Sequence, residues 1–169
     1  MACAEVHRVY LGLGSNIEPR AEHLRAAARG LEESGLRICA KSPVYQTKPW
    51  GGVEQEDFLN MALLAEAADS PLRLLAELKR LERALGRTPT CFWGPRVIDI
   101  DILLYDDLTF SAKGLTIPHR ELKNRAFMLI PLLDIAPGLI LPGGVPLAAV
   151  LRRLPPEEAA GVLPYAAEA

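Results

Sequence analysis

Residues 93–105, WGPRVIDIDILLY, read as a strand in which two alternating positions are aspartate. Strand side chains point to opposite faces in turn, so Ile98, Ile100 and Ile102 face a core while Asp99 and Asp101 share the other side, roughly 6 to 7 Å apart. Two neighbouring carboxylates on a half-buried face repel each other and are costly to desolvate, so a positive group belongs beside them. One candidate is a hard divalent cation: Mg²⁺ keeps several waters and is held by one or two carboxylates together with substrate phosphates. The other is an Asp–Arg network with Arg96 or Arg87. The surroundings favour the first, because Arg87, Arg96, His119, Arg120, Lys123 and Arg125 crowd into or beside nearby loops. Forked guanidinium donors around a carboxylate pair suit a polyphosphate ester and point to phosphoryl transfer.

Working outward, HRVYLGLGSN places Val9, Leu11 and Leu13 on one face of a strand over about 7–13, with Tyr10 and Gly12 on the other. Ser15 or Asn16 is placed to cap a helix carrying Leu24, Ala27, Ala28 and Leu31 and ending before Gly35. LRICAKSPVYQT reads as a strand bent at Pro43 and FLNMALLAEA as another, joined by the glycine-bearing loop KPWGGVEQED. A second helix starts at Ser70 and Pro71, shows a stripe of Leu72, Leu75, Leu78, Leu81 and Leu85, and stops at Gly86. ELKNRAFMLIPLLDIAP suggests a third helix, bent or divided at Pro131. The order β-α-β-β-α-β-α predicts an α+β fold of the split β-α-β, ferredoxin-like kind, an antiparallel sheet with helices packed on it. Residues 1–169 fit a single domain, with 155–169 as a loosely packed tail.

Half of the residues are apolar, a quarter are charged and the net charge is −2, which gives no basic footprint for nucleic acid or for anionic lipid. The first residues lack the basic start and apolar run of a signal peptide, and prolines interrupt the most apolar stretch, so neither export nor membrane insertion is expected. Cys3, Cys39 and Cys91 are far apart, which argues for a reducing cytoplasm and against a disulfide framework or zinc site. GLGSN lacks the lysine and hydroxyl of a phosphate-cradling loop and reads better as a strand-to-helix turn.

Five segments together carry a resemblance: YLGLGSNIEPR, SPVYQTKPWGGVEQEDFLNMAL, LERALGR, WGPRVIDIDILLY and LTIPHRELKNRAFMLIPLLDIAP. Over about 8–152 the chain resembles the 6-hydroxymethyl-7,8-dihydropterin pyrophosphokinase family of folate biosynthesis. The most specific parts are GPRxxDxDI[LM] and PHxxxxxRxF[MV]. The resemblance implies transfer of pyrophosphate from ATP to the pterin alcohol, with Asp99 and Asp101 as ligands of two Mg²⁺ ions. Arg87 and Arg96 would act with them in catalysis. Glu82, Arg87, Arg96, Ile102, Thr116, His119 and Arg125 would meet ATP. Thr47, Trp50, Phe58, Asn60, Asp99 and Phe127 would meet 6-hydroxymethyl-7,8-dihydropterin, with the two phenylalanine rings sandwiching it. A monomer is expected.

Elementary chemistry supports the same roles. Arginines clamp phosphate, the substrate hydroxyl is itself the nucleophile, and a flat pterin needs stacking faces and an amide at its edge. Two features depart from the family pattern: Phe58 stands where members carry tyrosine, and TPTCF (88–92) has no arginine where a mobile loop elsewhere supplies basic residues. Lid closure would then fall to Phe92 and Trp93 packing over the site. Two rivals belong to other classes. A metal-dependent phosphoesterase would use the same aspartates to activate water. A ferredoxin-like RNA-binding module would need aromatic and basic residues on its central strands, where this chain has apolar residues and acids.

Overall fold

The structure is a computed structural model and describes residues 4–166. The chain runs β1 (His7–Ser15), α1 (Arg20–Glu33), β2 (Arg37–Lys41), β3 (Tyr45–Thr47), β4 (Phe58–Ala67), α2 (Pro71–Ala84), β5 (Asp99–Tyr105), β6 (Phe110–Ala112) and β7 (Leu115–Ile117). A 3-10 turn (Leu122–Asn124) leads to α3 (Ala126–Ile135), α4 (Leu147–Arg153), α5 (Pro156–Ala160) and β8 (Leu163–Pro164). The main sheet has the order β5-β1-β4-β3-β8, with β2 also on β4, and its pairings are antiparallel. β6 and β7 form a separate hairpin. This is an α+β architecture, an antiparallel sheet with helices packed on it.

The alternation read in β1 decides which layer lies on which side. Val9, Leu11 and Leu13 join Leu63, Ile100 and Ile102 beneath Leu24 and Leu31 of α1 and Leu74 and Leu78 of α2. Tyr10, Ala62 and Leu104 face the other way, onto Leu129 and Leu132 of α3 and Leu147 and Val150 of α4. A shift in the β1–β5 register between Tyr10 and Leu11 lets Leu103 and Leu104 both serve this second core.

Four local expectations change. In α2 the buried leucines are Leu74, Leu78 and Leu81, with Leu75 and Leu85 packed partly buried against the same core, whereas Leu72 is half exposed, so the stripe is rotated away from Leu72 toward Leu74. Leucine fills so many positions there that spacing alone does not single out the buried face. β1 continues to Ser15, so neither Ser15 nor Asn16 caps α1; Pro19 occupies the N-cap position. Pro131 sits inside α3 without dividing it. The tail is not loose over its described part: α5 and β8 follow α4, and β8 adds to the β3 edge through Tyr45↔Pro164 and Gln46↔Leu163. A two-residue strand has no period to read. Residues 167–169, and Cys3 at the other end, lie outside the described residues. Cys39 and Cys91 are free and exposed. Among the described residues no helix is long and apolar enough to cross a membrane.

Candidate active site

β5 pairs with β1 so that Asp101 lies opposite Gly12 and Asp99 opposite Gly14. No side chain rises from β1 at these two places, and the carboxylates border a cavity of about 400 Å³. Gly14 has little room for one: an added Cβ would stand 3.0 Å from Asn60 Oδ1, which would have to give way, and 3.7 Å from the Phe58 ring. Gly12 and Gly14 therefore form the floor of the site inside a strand, and β1 runs on through Gly14 and Ser15, a correction to the reading of that part of GLGSN as a turn.

The two aspartates share a face but not an environment. Asp99 accepts from Arg87 Nη1 and from Arg96 Nη1, each at 2.8 Å. The same Arg87 nitrogen reaches Glu82 Oε2 at 2.6 Å, and Glu82 Oε1 accepts the backbone N–H of Ile100 at 2.7 Å and Lys79 Nζ at 3.1 Å. Glu82, 2 % exposed, thus pins the start of β5 to α2 and orients Arg87. Asp101 touches no arginine. The one basic side chain within 4.0 Å of it among the described residues is the imidazole of His119, through Nε2. Burial, and then the Asp99 carboxylate, push Asp101 from the ordinary carboxylate range up to about 7.

His119 is held from both ends. Its backbone N–H donates to Leu103 O at 2.9 Å, and its Nδ1 accepts from the Glu121 N–H at 3.1 Å. Burial lowers its pKa, so the ring is neutral near pH 7, and with Nδ1 accepting, the proton lies on Nε2, facing Asp101.

At the other end of the cavity Phe58, from β4, and Phe127, from α3, supply aromatic wall. Asn60 Nδ2 donates to Thr47 Oγ1 at 2.7 Å, which fixes the orientation of the amide and leaves its second N–H and its carbonyl as the edge it can offer. Arg125 is 6 % exposed; its guanidinium carbon lies 3.3 Å from the Trp50 ring centroid and 5.6 Å from that of Trp93. Its Nη1 is buried without a partner among the described residues, a costly state for a charged donor that an anion in the cavity would relieve. Gly51, at φ +87°, lies flat against Trp93, where an added Cβ would come within 2.7 Å of the ring. The 47–57 and 88–95 loops are docked on each other there, and Gln55 Nε2 donates to Trp93 O at 2.7 Å.

One buried residue that the sequence reading offered only as a helix cap ties these parts together. Asn16, 2 % exposed, exchanges backbone bonds with Arg96 through its own N–H and its Oδ1, at 3.1 and 2.8 Å. Its Nδ2 donates to Gln55 Oε1 and Glu56 O. A buried amide joining three loops leaves no periodic trace in sequence; its one signal is a polar residue directly after a strand and before a proline.

Of the residues expected at the site, Thr47, Trp50, Phe58, Asn60 and Phe127 line one part of the cavity, and Arg96, Asp99, Asp101, His119 and Arg125 the rest. Arg87 stands behind Asp99. Glu82, Ile102 and Thr116 are not on the wall: Glu82 is spent on its own partners, Ile102 belongs to the helix-side core, and Thr116 lies in β7. Ile102 has only backbone to offer a ligand. Gly12, Gly14 and Trp93 line the cavity without having been assigned to a ligand.

Comparison with known proteins agrees with this geometry. Residues 10–137 match the family model described as 7,8-dihydro-6-hydroxymethylpterin-pyrophosphokinase. The 2-amino-4-hydroxy-6-hydroxymethyldihydropteridine pyrophosphokinase of Methylorubrum extorquens is 44% identical over 150 residues, 88% of this chain and 94% of that one. The protein of the same name from Aquifex aeolicus is 46% identical over 134 residues, 79% of this chain and 83% of that one. Among solved structures, Plasmodium falciparum HPPK-DHPS superposes with a TM-score of 0.71 at 16% identity. That match covers 90% of this chain and 45% of that one, so this chain spans less than half its length and the likeness is one of fold. With the family model matched over most of its length and relatives this similar across nearly their whole sequence, the chain belongs to the 7,8-dihydro-6-hydroxymethylpterin-pyrophosphokinase family.

Proposed function

We propose that the cavity holds ATP and 6-hydroxymethyl-7,8-dihydropterin end to end and transfers pyrophosphate from the first to the second, releasing AMP and the pterin diphosphate for folate synthesis. The observation that carries this reading is the polarity of the cavity: aromatic rings and an amide at one end, a carboxylate pair with arginines and a neutral histidine at the other. The pterin stacks between Phe58 and Phe127, with Asn60 and the Thr47–Trp50 segment at its edge. Its hydroxymethyl oxygen then points toward Asp99 and Asp101. That oxygen attacks the β-phosphorus of ATP, a new P–O bond forms, and the bond to the α-phosphate oxygen breaks with AMP as the leaving group.

The donor set fits Mg²⁺. Asp99 and Asp101 are hard oxygen ligands on one face, and among the described residues Asp101 has no lysine or arginine in salt-bridge contact. We assign these two residues to hold two Mg²⁺ ions with the phosphates; bound there, the metal supplies charge neutralisation across the triphosphate. Arg87 and Arg96 each use one terminal nitrogen on Asp99 and keep further N–H donors for phosphate oxygens. His119 offers its Nε2 proton, and Arg125 its unpartnered Nη1. Glu82 acts through Arg87 and the Ile100 amide. The remaining assignments, Ile102 and Thr116 near the nucleotide, rest on family resemblance.

We also read residues 1–169 as one pyrophosphokinase domain, working in the cytoplasm as a monomer. The β5-β1-β4-β3 order supports the ferredoxin-like split β-α-β description of its sheet. The test is a product assay. AMP released from ATP only when the pterin alcohol is present, in equal amount to the pterin diphosphate, is the expected result; pterin-independent hydrolysis of ATP would replace this reading with a phosphoesterase.

A further inference from the structure

We infer that Arg20, together with Tyr165 of the C-terminal strap, is a positioning residue for the pterin end of the site. The inference rests on the assignment of Phe58 as a pterin-stacking ring. Arg20 opens α1, and its side chain is only 14 % exposed. Its Nε donates to Glu18 Oε1 at 2.6 Å, its Nη1 donates to the carbonyl of Asp57 at 2.9 Å, and its guanidinium carbon lies 5.9 Å from the Tyr165 ring centroid. Asp57 directly precedes Phe58, and its side chain is gripped from the other side: Oδ2 accepts from Gln46 Nε2 at 3.2 Å. Gln46 lies in β3, whose outer edge is covered by β8 through Gln46↔Leu163, and Tyr165 closes the circuit by donating its N–H to Val44 O at 2.9 Å.

Thus α1, β3, the start of β4 and the C-terminal strap form a ring of contacts around the backbone that aims Phe58. None of these groups borders the cavity that holds Asp99 and Asp101. Arg20 itself is compensated by Glu18, so its charge is not left over for phosphate. What it supplies is a charge-assisted hydrogen bond to the one carbonyl adjoining the stacking residue. A stacking face misplaced by a fraction of an ångström loses contact with a flat ligand while the phosphate end, built on β5, stays in place.

Binding of the pterin in the presence of Mg²⁺ and an unreactive ATP analogue, and of the analogue alone, reads this directly in Arg20→Ala, Arg20→Lys, Tyr165→Ala, Tyr165→Phe and Phe58→Ala. Arg20→Ala is expected to weaken pterin binding about tenfold, the size of a lost hydrogen bond to a charged donor, with the analogue's Kd within about twofold of the parent. Arg20→Lys is expected to recover part of that loss, Tyr165→Ala to give a smaller pterin-selective loss, and Tyr165→Phe to match the parent. Phe58→Ala checks the underlying assignment: if it leaves pterin affinity unchanged, the stacking role and this inference fall together. If Phe58→Ala weakens the pterin but Arg20→Ala does not, or weakens both ligands equally, the stacking role stands and the inference is overturned. Should Arg20→Ala not fold, Arg20→Lys and Tyr165→Ala read the same selectivity, and equal loss of both ligands in them would also overturn it.

Discussion

The two ends of the cavity are built in different ways. The phosphate end stands on regular elements: Asp99 and Asp101 on β5, Glu82 on the last turn of α2, and charges that largely satisfy one another through Glu82, Arg87, Asp99 and Arg96. The proposed pterin end takes its walls from Thr47 of β3, Phe58 and Asn60 of β4 and Phe127 of α3, but its cover from loops that hold each other, with Asn16 and Gln55 bonding the 47–57 and 93–96 segments and Gly51 pressed against Trp93. The first arrangement fixes geometry by strand spacing, so a change there alters charge more than shape. The second fixes geometry by a few tight contacts, so the same size of change alters shape.

The largest expected effect lies in the carboxylate pair, where activity and stability are expected to separate. Asp99→Asn and Asp101→Asn should each lower kcat by about 100-fold or more, the scale of a lost electrostatic stabiliser. Their stabilities should move in opposite directions. Asp99→Asn strips Arg87 and Arg96 of their shared anion and should lower Tm. Asp101 has its folded value, about 7, above the ordinary 3.8, so the folded metal-free protein binds that proton more tightly than the unfolded chain. The resulting stability is full below about pH 4 and is lost as pH rises to about 7. Asp101→Asn should flatten that fall and raise Tm above pH 7 by about 2–4 °C, equivalent to about 1 kcal/mol. Thermal unfolding without Mg²⁺ from pH 4 to 8 checks the signs, and a Tm drop in both variants would mean that the two carboxylates share one environment after all.

Next in size is the hub between the two ends. Asn16→Ala leaves the Arg96 N–H and the Gln55 side chain short of a buried partner and should cost about 2 kcal/mol of stability. Because the hub touches both ends, it should weaken the pterin and the ATP analogue together. Selective loss of one ligand would show that the ends are not coupled through this amide.

The same division explains what was legible in sequence. Strand alternation is a local rule, so Asp99 and Asp101 could be placed on one face, and Ile100 and Ile102 on the other, from thirteen residues. The leucine-rich α2 and the tail resisted for opposite reasons: too many apolar positions in one, too few residues in β8 for a period. The role of Gly12 and Gly14 depended on register against β5, and that of Asn16 on three loops meeting, neither of which a single segment contains. Motif resemblance reached Phe58, Asn60 and Phe127, which no spacing argument would have brought together.

Phe127→Ala sharpens the contrast from the aromatic side. It should weaken pterin binding by about 1–3 kcal/mol, the size of a lost stacking face, and leave the ATP analogue nearly unaffected. Calorimetric titration with each ligand separates the two. Equal loss of both would make Phe127 a core residue that supports α3 rather than a wall of the pterin end.

The smallest expected effect is also the one that bears most directly on closure. Phe92 is 80 % exposed and Trp93 is held at φ +64°, so in this state the arginine-free 88–92 loop is attached to the site mainly through Trp93. Gly51 is what lets that attachment form, since any side chain at φ +87° would be strained and would strike the ring. Gly51→Ala should therefore separate the two loops, raise the pterin KM about threefold and lower kcat by a similar factor, with the ATP-analogue Kd unchanged. In a Trp50→Phe background the fluorescence of Trp93 reports the same contact: it should shift when the ternary complex forms and stay flat when Gly51→Ala is added. If the shift survives Gly51→Ala, closure of the 88–92 segment does not depend on the 47–57 loop, and the two-loop description of the pterin end would have to give way to one in which Arg125 and Trp50 hold the cover alone.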